Sequence, residues 1–162
     1  MEPDTMTTLQ TFREIAADPA AVFAAIAAPQ RLARWWGPDG FRNTFETCDF
    51  KPGGTWQFTM HGPDGSSYPN LSRFAEIEPG RRVVIDHVCE PLFRLTVELV
   101  PIGTGTLVRW TQVFDNPEVA AAVRHIVEPS NEQNLARLAA EVAAGYADSA
   151  GPFYLRSALT GP

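Results

Sequence analysis

The chain has 162 residues, of which 44% are hydrophobic and 20% charged, with a formal net charge of -6. This composition fits one soluble globular domain large enough to bury a sizeable core. It excludes two classes of partner. The arginines are scattered and Lys51 is the single lysine, so no basic patch exists to displace counterions from a nucleic acid. No stretch approaches the roughly 20 consecutive apolar residues of a membrane span. The short, acidic and polar start from Met1 to Thr8 does not read as a secretory leader. Cys48 and Cys89 are therefore expected as reduced thiols in a cytoplasmic protein.

In chain order, residues 9–15 alternate and predict a first strand. Asp18-Pro19 then forms a helix start, because Asp18 can accept the free amide protons and Pro19 suits the first helical position. Val22, Phe23 and Ile26 make an apolar stripe. Pro29 breaks that helix, and a second short one carries Leu32, Trp35 and Trp36 before Gly37-Pro38 stops it. Trp35 and Trp36 should close one end of the sheet. At least one should be largely buried against a long helix or the Pro52-Gly53-Gly54 corner, and the two should point apart because adjacent helical residues diverge by about 100°.

Strand-like segments follow at residues 42–47, 55–61, 68–77, 82–88, 93–101 and 106–114, joined by turns rich in Pro and Gly. Short strands with short links predict a meandering antiparallel sheet. The alternation is clearest at Trp56, Phe58 and Met60 and at Phe93, Leu95, Val97 and Leu99. One face is expected to be buried and the other wetter, with Arg73, Arg109 and His61 on the outer side.

The last third changes period. Asn116-Pro117-Glu118 starts a helix whose stripe is Val119, Val123, Ile126 and Val127, resuming at Leu135, Leu138 and Val142. Pro129 falls inside this pattern, and Ser130 with Gln133 has capping-box spacing. A kink or short break is therefore predicted at residues 127–131, with a candidate cavity entrance beside it. After Gly145 the pattern weakens, and Gly151-Pro152 suggests irregular structure. Phe153, Tyr154 and Leu155 are apolar enough to pack back on the domain or on a partner.

Catalytic signatures are scarce. There is no phosphate loop, no Cys-x-x-Cys and no His-Glu-x-x-His. His61, His87 and His125 show no spacing that would gather metal ligands, and ordinary hydrogen bonding or solvent exposure is their expected role. His87 and Cys89 point the same way from one strand. Neither Cys48 nor Cys89 has an evident activating base, so both read as small buried thiols. The aromatic faces are more informative. Trp56, Phe58 and Met60 share one; Tyr68, Asn70, Ser72 and Phe74 share another; Val108, Trp110, Gln112 and Phe114 share a third. Turned inward, they would make an apolar wall with scattered polar groups.

Several segments carry a resemblance. They include Pro19-Ala20-Ala21-Val22-Phe23, Arg34-Trp35-Trp36-Gly37-Pro38, Lys51-Pro52-Gly53-Gly54-Thr55-Trp56, Phe74-Ala75-Glu76-Ile77-Glu78-Pro79 and Asn131-Glu132-Gln133-Asn134-Leu135. In this order they resemble the Hsp90 ATPase activator homologue 1-like family, within the START/Bet v 1-like (SRPBCC) superfamily. The resemblance implies an α+β helix-grip fold: a seven-stranded curved antiparallel sheet around a long C-terminal helix, with two short helices after the first strand. It implies a START-like domain over residues 8–144, with residues 145–162 as a C-terminal extension. Glu128-Pro129-Ser130 stands where many relatives have Gly-Trp.

The superfamily binds lipids, steroids and plant metabolites, which makes a cavity for a small hydrophobic molecule the first expectation. Its expected lining is Trp36, Trp56, Phe58, Met60, Tyr68, Asn70, Phe74, Val108, Trp110, Phe114, Asn134 and Leu138, with Arg137 a further polar group near the mouth. A cyclase- or hydratase-like enzyme and a chaperone-associated interaction domain are the alternatives. The chain is too short for the separate N-terminal domain of the eukaryotic co-chaperone that gives the family its name. No cofactor and no metal are expected, and a homodimer is left open.

Overall fold

A computed structural model describes the backbone of residues 5–160 and the side chains of residues 5–145. The first strand, β1 (Thr8–Ile15), leads into α1 (Pro19–Ala27) and α2 (Pro29–Trp35). The Asp18 side chain accepts from the Ala21 amide at 2.8 Å, so the helix start read from Asp18-Pro19 is the one used. Six strands follow: β2 (Arg42–Cys48), β3 (Thr55–His61), β4 (Ser67–Glu78), β5 (Arg82–His87), β6 (Phe93–Ile102) and β7 (Gly105–Phe114). The chain ends in α3 (Pro117–Thr160). Its first turn is capped by Asn116, whose Oδ1 accepts from the amides of Glu118 at 2.8 Å and Val119 at 3.3 Å.

All pairings are antiparallel, and the seven strands run in the order β1-β7-β6-β5-β4-β3-β2. The meander leaves only β1 out of sequence, and it closes on β7. Register shifts between Phe45 and Thr47 in β2 and between Phe74 and Glu76 in β4 are bulges of the kind that bend a sheet. With the two short helices after β1 and the long final helix, this is the helix-grip topology expected from the resemblance.

The inner face is the one read from alternation. Trp56, Phe58, Phe74, Leu95, Val97, Leu99, Val108 and Trp110 are buried in one cluster with Val22, Ile26 and Leu32 of the short helices and Leu135, Leu138 and Val142 of α3. A smaller cluster joins Leu9, Phe114 and Ala120, with Val119, Val123 and Val127 packed against it. Opposite phases carry ion pairs on the outer face, including Arg73–Asp86, Arg94–Asp86 and Arg109–Glu98.

Three expectations about α3 need correction. The helix continues through Pro129 without a break. The Ser130 hydroxyl does not cap a new first turn but donates back to the Ile126 carbonyl at 2.8 Å, the intrahelical bond that serine makes when the helix carries on. Ile126 is not part of the buried stripe, being 58% exposed. The helix also runs on past Gly145 and Gly151-Pro152 to Thr160, where irregular structure was expected. The packing expected of Phe153, Tyr154 and Leu155 lies outside the described side chains.

Candidate functional site

The short helix α2 and the loop after it are held in place by side chains from elsewhere in the chain. A helix end leaves its last carbonyls unpaired, and α2 is too short to hide them. Asn43 Nδ2 donates to the carbonyls of Ala33 and Trp36. Asn134 Nδ2, from α3, donates to the Trp35 carbonyl at 3.0 Å. Arg137, one turn further along α3, donates to the carbonyls of Arg34, Trp36, Gly37, Pro38 and Phe41 at 2.8–3.1 Å. Among the described residues no carboxylate bonds this guanidinium; the negative end of α2 and the loop carbonyls take that role.

This arrangement gives the two tryptophans different surroundings, although their rings meet edge-on at 5.6 Å. Trp35 is 2% exposed, and its Nε1 donates to the Ala25 carbonyl at 2.9 Å. Burial of one of the pair is as expected; its side-chain partners are α1 and the Trp110 ring, while α3 reaches its carbonyl. Trp36 is half-buried and turns inward, edge-on to Trp56 at 4.9 Å and to Phe58 at 6.5 Å, and tilted against Trp110 at 5.6 Å. Gly37 follows with φ +97°, and a Cβ there would come within 2.8 Å of Met60 Cε. The turn therefore needs glycine for its backbone, while the Met60 methyl is the end of a flexible side chain that can move aside.

Between Trp36, the sheet and α3 lies a cavity of about 240 Å³, open on one side. Its apolar wall comprises Trp36, Phe58, Met60, Ile85, Phe93, Leu95, Trp110 and Val127. Its polar groups are Asn70, Ser72, His87, Gln112, Ser130, Asn131 and Asn134. Among the described residues no Asp, Glu, Lys or Arg lines it. A larger hollow of about 580 Å³ lies between the end of β1 and α3, lined by Arg13, Glu14, Asp18 and Ala143 among others.

Of the twelve residues expected at a cavity, Trp36, Phe58, Met60, Asn70, Trp110 and Asn134 meet here. Trp56, Phe74, Val108 and Leu138 are fully buried behind it in the main core. Phe114 belongs to the smaller cluster. Tyr68 is 47% exposed and rests against Phe41 instead. Arg137 is committed to the α2 loop. The Pro129 region contributes Val127, Ser130 and Asn131 to the helix side of the cavity without any break in the helix.

His87 was expected only as a hydrogen-bonding or exposed residue, yet among the described residues it is the one titratable side chain in the lining. It is buried and stacked on Phe93 at 4.5 Å. Its Nδ1 lies 2.7 Å from the Pro91 carbonyl oxygen, and its Nε2 lies 2.7 Å from Asn70 Oδ1 and 3.4 Å from Cys89 Sγ. Asn70 Nδ2 donates to the Tyr68 carbonyl, which turns its oxygen toward the imidazole. Only the imidazolium can donate to both oxygens. Burial pulls the other way and lowers the pKa from its ordinary 6.5, while the backbone contacts at Pro91 and Cys89 resist. Burial, then the Asp49 charge, push the Cys48 thiol up to about 11, which disfavours its thiolate at neutral pH. Among the described residues no group of His, Cys, Asp and Glu could hold a metal ion, and no helix is long and apolar enough to cross a membrane.

Comparison with known proteins matches residues 16–143 to the family described as Activator of Hsp90 ATPase homolog 1-like protein. The chain belongs to the Activator of Hsp90 ATPase homolog 1-like family. A solved protein of Arthrobacter aurescens has 26% identity and a TM-score of 0.80, covering 88% of this chain and 90% of its own. One from Nitrosomonas europaea has 21% identity and a TM-score of 0.81, covering 90% and 99%. The AHSA1 protein of Silicibacter pomeroyi has 23% identity and a TM-score of 0.68, covering 85% and 99%. The last two likenesses speak for the fold alone. No curated protein matches the chain. Membership in the Activator of Hsp90 ATPase homolog 1-like family accords with the helix-grip topology described above.

Proposed function

We propose that this chain binds a small, uncharged hydrophobic molecule between the sheet and α3. The observation that carries this reading is the cavity of about 240 Å³, walled by Trp36, Phe58, Phe93 and Trp110 and lined, among the described residues, by no Asp, Glu, Lys or Arg. Apolar cavities of about 150 Å³ accept a benzene ring, so this one suits a molecule of one or two fused rings. An anion would lose its hydration without gaining a counter-charge. Thermal-shift screening against one- and two-ring hydrophobic compounds tests the proposal. Stabilisation by neutral compounds that disappears in Trp36→Ala is the expected result, and no stabilisation by any of them contradicts it.

One observation favours a second reading, an enzyme of proton transfer. His87 lines the cavity and burial holds its pKa down; as the neutral imidazole, with the Asn70 amide turned to present its NH2 group, its Nε2 would be the accepting atom of a general base near neutral pH. Among the described residues no second acid or base lines the cavity. Deuterium uptake from heavy water into a bound cyclic ketone such as 2-tetralone tests this. Exchange that is lost in His87→Gln supports a base; exchange equal in both proteins, or none, ends the reading.

A further inference from the structure

The cavity is not uniformly apolar, and its polar groups are unequally engaged. His87 and Asn70 are occupied with protein partners through both ends of their polar groups. Ser130 is tied to its own helix. On the α3 side the bonding is partial. Asn131 Nδ2 donates to Gln112 Oε1 at 3.0 Å, linking α3 to β7. This uses one half of each amide. The other halves, the Gln112 Nε2 donor and the Asn131 Oδ1 acceptor, take no further hydrogen bond among the described residues. Gln112 is 7% exposed, so its remaining donor is not simply turned to bulk solvent. Ser72, 3% exposed, stands across the cavity, and its hydroxyl is likewise without a protein partner among the described residues.

We propose that the Gln112–Asn131 amide pair is the specificity element of the cavity, and that it selects neutral ring compounds bearing a hydroxyl group over plain hydrocarbons and over anions. A hydroxyl both accepts and donates, which matches one free amide N–H beside one free amide oxygen. A hydrocarbon would displace water from both groups and return nothing, leaving buried polar atoms unpaired. A carboxylate could use the Gln112 donor but would face the Asn131 oxygen, and among the described residues no Lys or Arg lines the cavity. Sites built to bond a substrate hydroxyl reject analogues that lack it more strongly than apolar pockets reject a size change. The inference rests on the cavity being a ligand site, and its test must separate the two ideas.

The probes are naphthalene, 2-naphthol and 2-naphthoate, each titrated against the intact chain by calorimetry. The expected result is 2-naphthol binding roughly ten-fold or more tighter than either of the others. In Gln112→Met and in Asn131→Leu that preference over naphthalene should collapse to within about two-fold, with naphthalene affinity retained. Naphthalene binding also reports that each variant still folds around its cavity. Equal affinity for naphthalene and 2-naphthol in the unaltered chain overturns the specificity proposal while leaving an apolar ligand site standing. So does a preference that survives both substitutions, or tightest binding of 2-naphthoate. Failure of all three probes to bind contradicts the ligand site itself, and the amide pair's role with it.

Discussion

Trp35 and Trp36 are adjacent in the chain but do different things, and the difference should be measurable. Trp35 is in the core with its indole bonded to Ala25, so Trp35→Ala should cost about 3–5 kcal/mol by urea denaturation. Trp36→Ala should cost less, because its ring is only half-buried and faces open space. Equal losses would contradict this division. Glu141 offers a second test. It is 9% exposed and bonds Arg31 and Arg34 at 2.9 Å. Its pKa lies below the ordinary 4.5, first because Arg34 donates to it. A carboxylate with a depressed folded-state pKa adds stability above its unfolded value and loses it as the pH falls through the folded one. Glu141→Gln should therefore cost roughly 1–3 kcal/mol at pH 7, since the carboxylate is buried but Arg34 is largely solvated. The gap should close as the pH drops below 4.5; a gap unchanged by acid would show that the loss is not electrostatic. The Trp56, Phe58 and Met60 face was legible because alternation is a local signal. His87 was not, because its surroundings come from Asn70, 17 residues earlier, and from a carbonyl in the next loop. Arg137 was read near a cavity mouth, and no local pattern announces that its five acceptors lie about a hundred residues back.

At the level of elements, the capped helix starts and the strand sequence followed from short signals: Asp18-Pro19, Asn116-Pro117 and turns of Pro and Gly. Gly54 shows how strict such a turn is, because a Cβ there would sit 1.8 Å from the Asp49 carbonyl oxygen. Pro129 went the other way. Proline costs a helix interior about 3 kcal/mol relative to alanine. Here the apolar residues on both sides, Val123 and Val127 before it and Leu135 and Leu138 after it, pack on the same sheet. Keeping the helix in phase keeps both sets packed, and that outweighs one lost backbone bond. Pro129→Ala should then stabilise the protein, by up to about 3 kcal/mol, with no change in helical circular dichroism beyond a slight gain. Destabilisation would mean that the proline sets a geometry the packing requires. Arg137→Ala should release the segment from Trp36 to Phe41. Removing charge-assisted bonds of this kind costs about 1.5–3 kcal/mol, and amide exchange at residues 36–41 should accelerate while the β6–β7 amides stay protected.

For the molecule as a whole, the central relation is between a curved sheet and a helix that does not fill it. α3 packs tightly through Leu135, Leu138 and Val142 and leaves a gap opposite Val127, Asn131 and Asn134. Sequence periodicity describes which face is buried but not how far apart two buried faces stand, so it could not separate the cavity-lining Phe58 and Trp110 from the core residues Trp56 and Val108. That separation depends on register, helix position and the loop that Arg137 holds. The most direct measurement is the indole N–H region of the proton–nitrogen spectrum during titration with 2-naphthol. The account predicts that the Trp36 and Trp110 signals move in a saturable way, the Trp35 signal moves least, and amides around Arg13, Glu14 and Ala143 are unaffected. Indole signals that stay fixed while the amides beside Ala143 shift would contradict a ligand site between the sheet and α3.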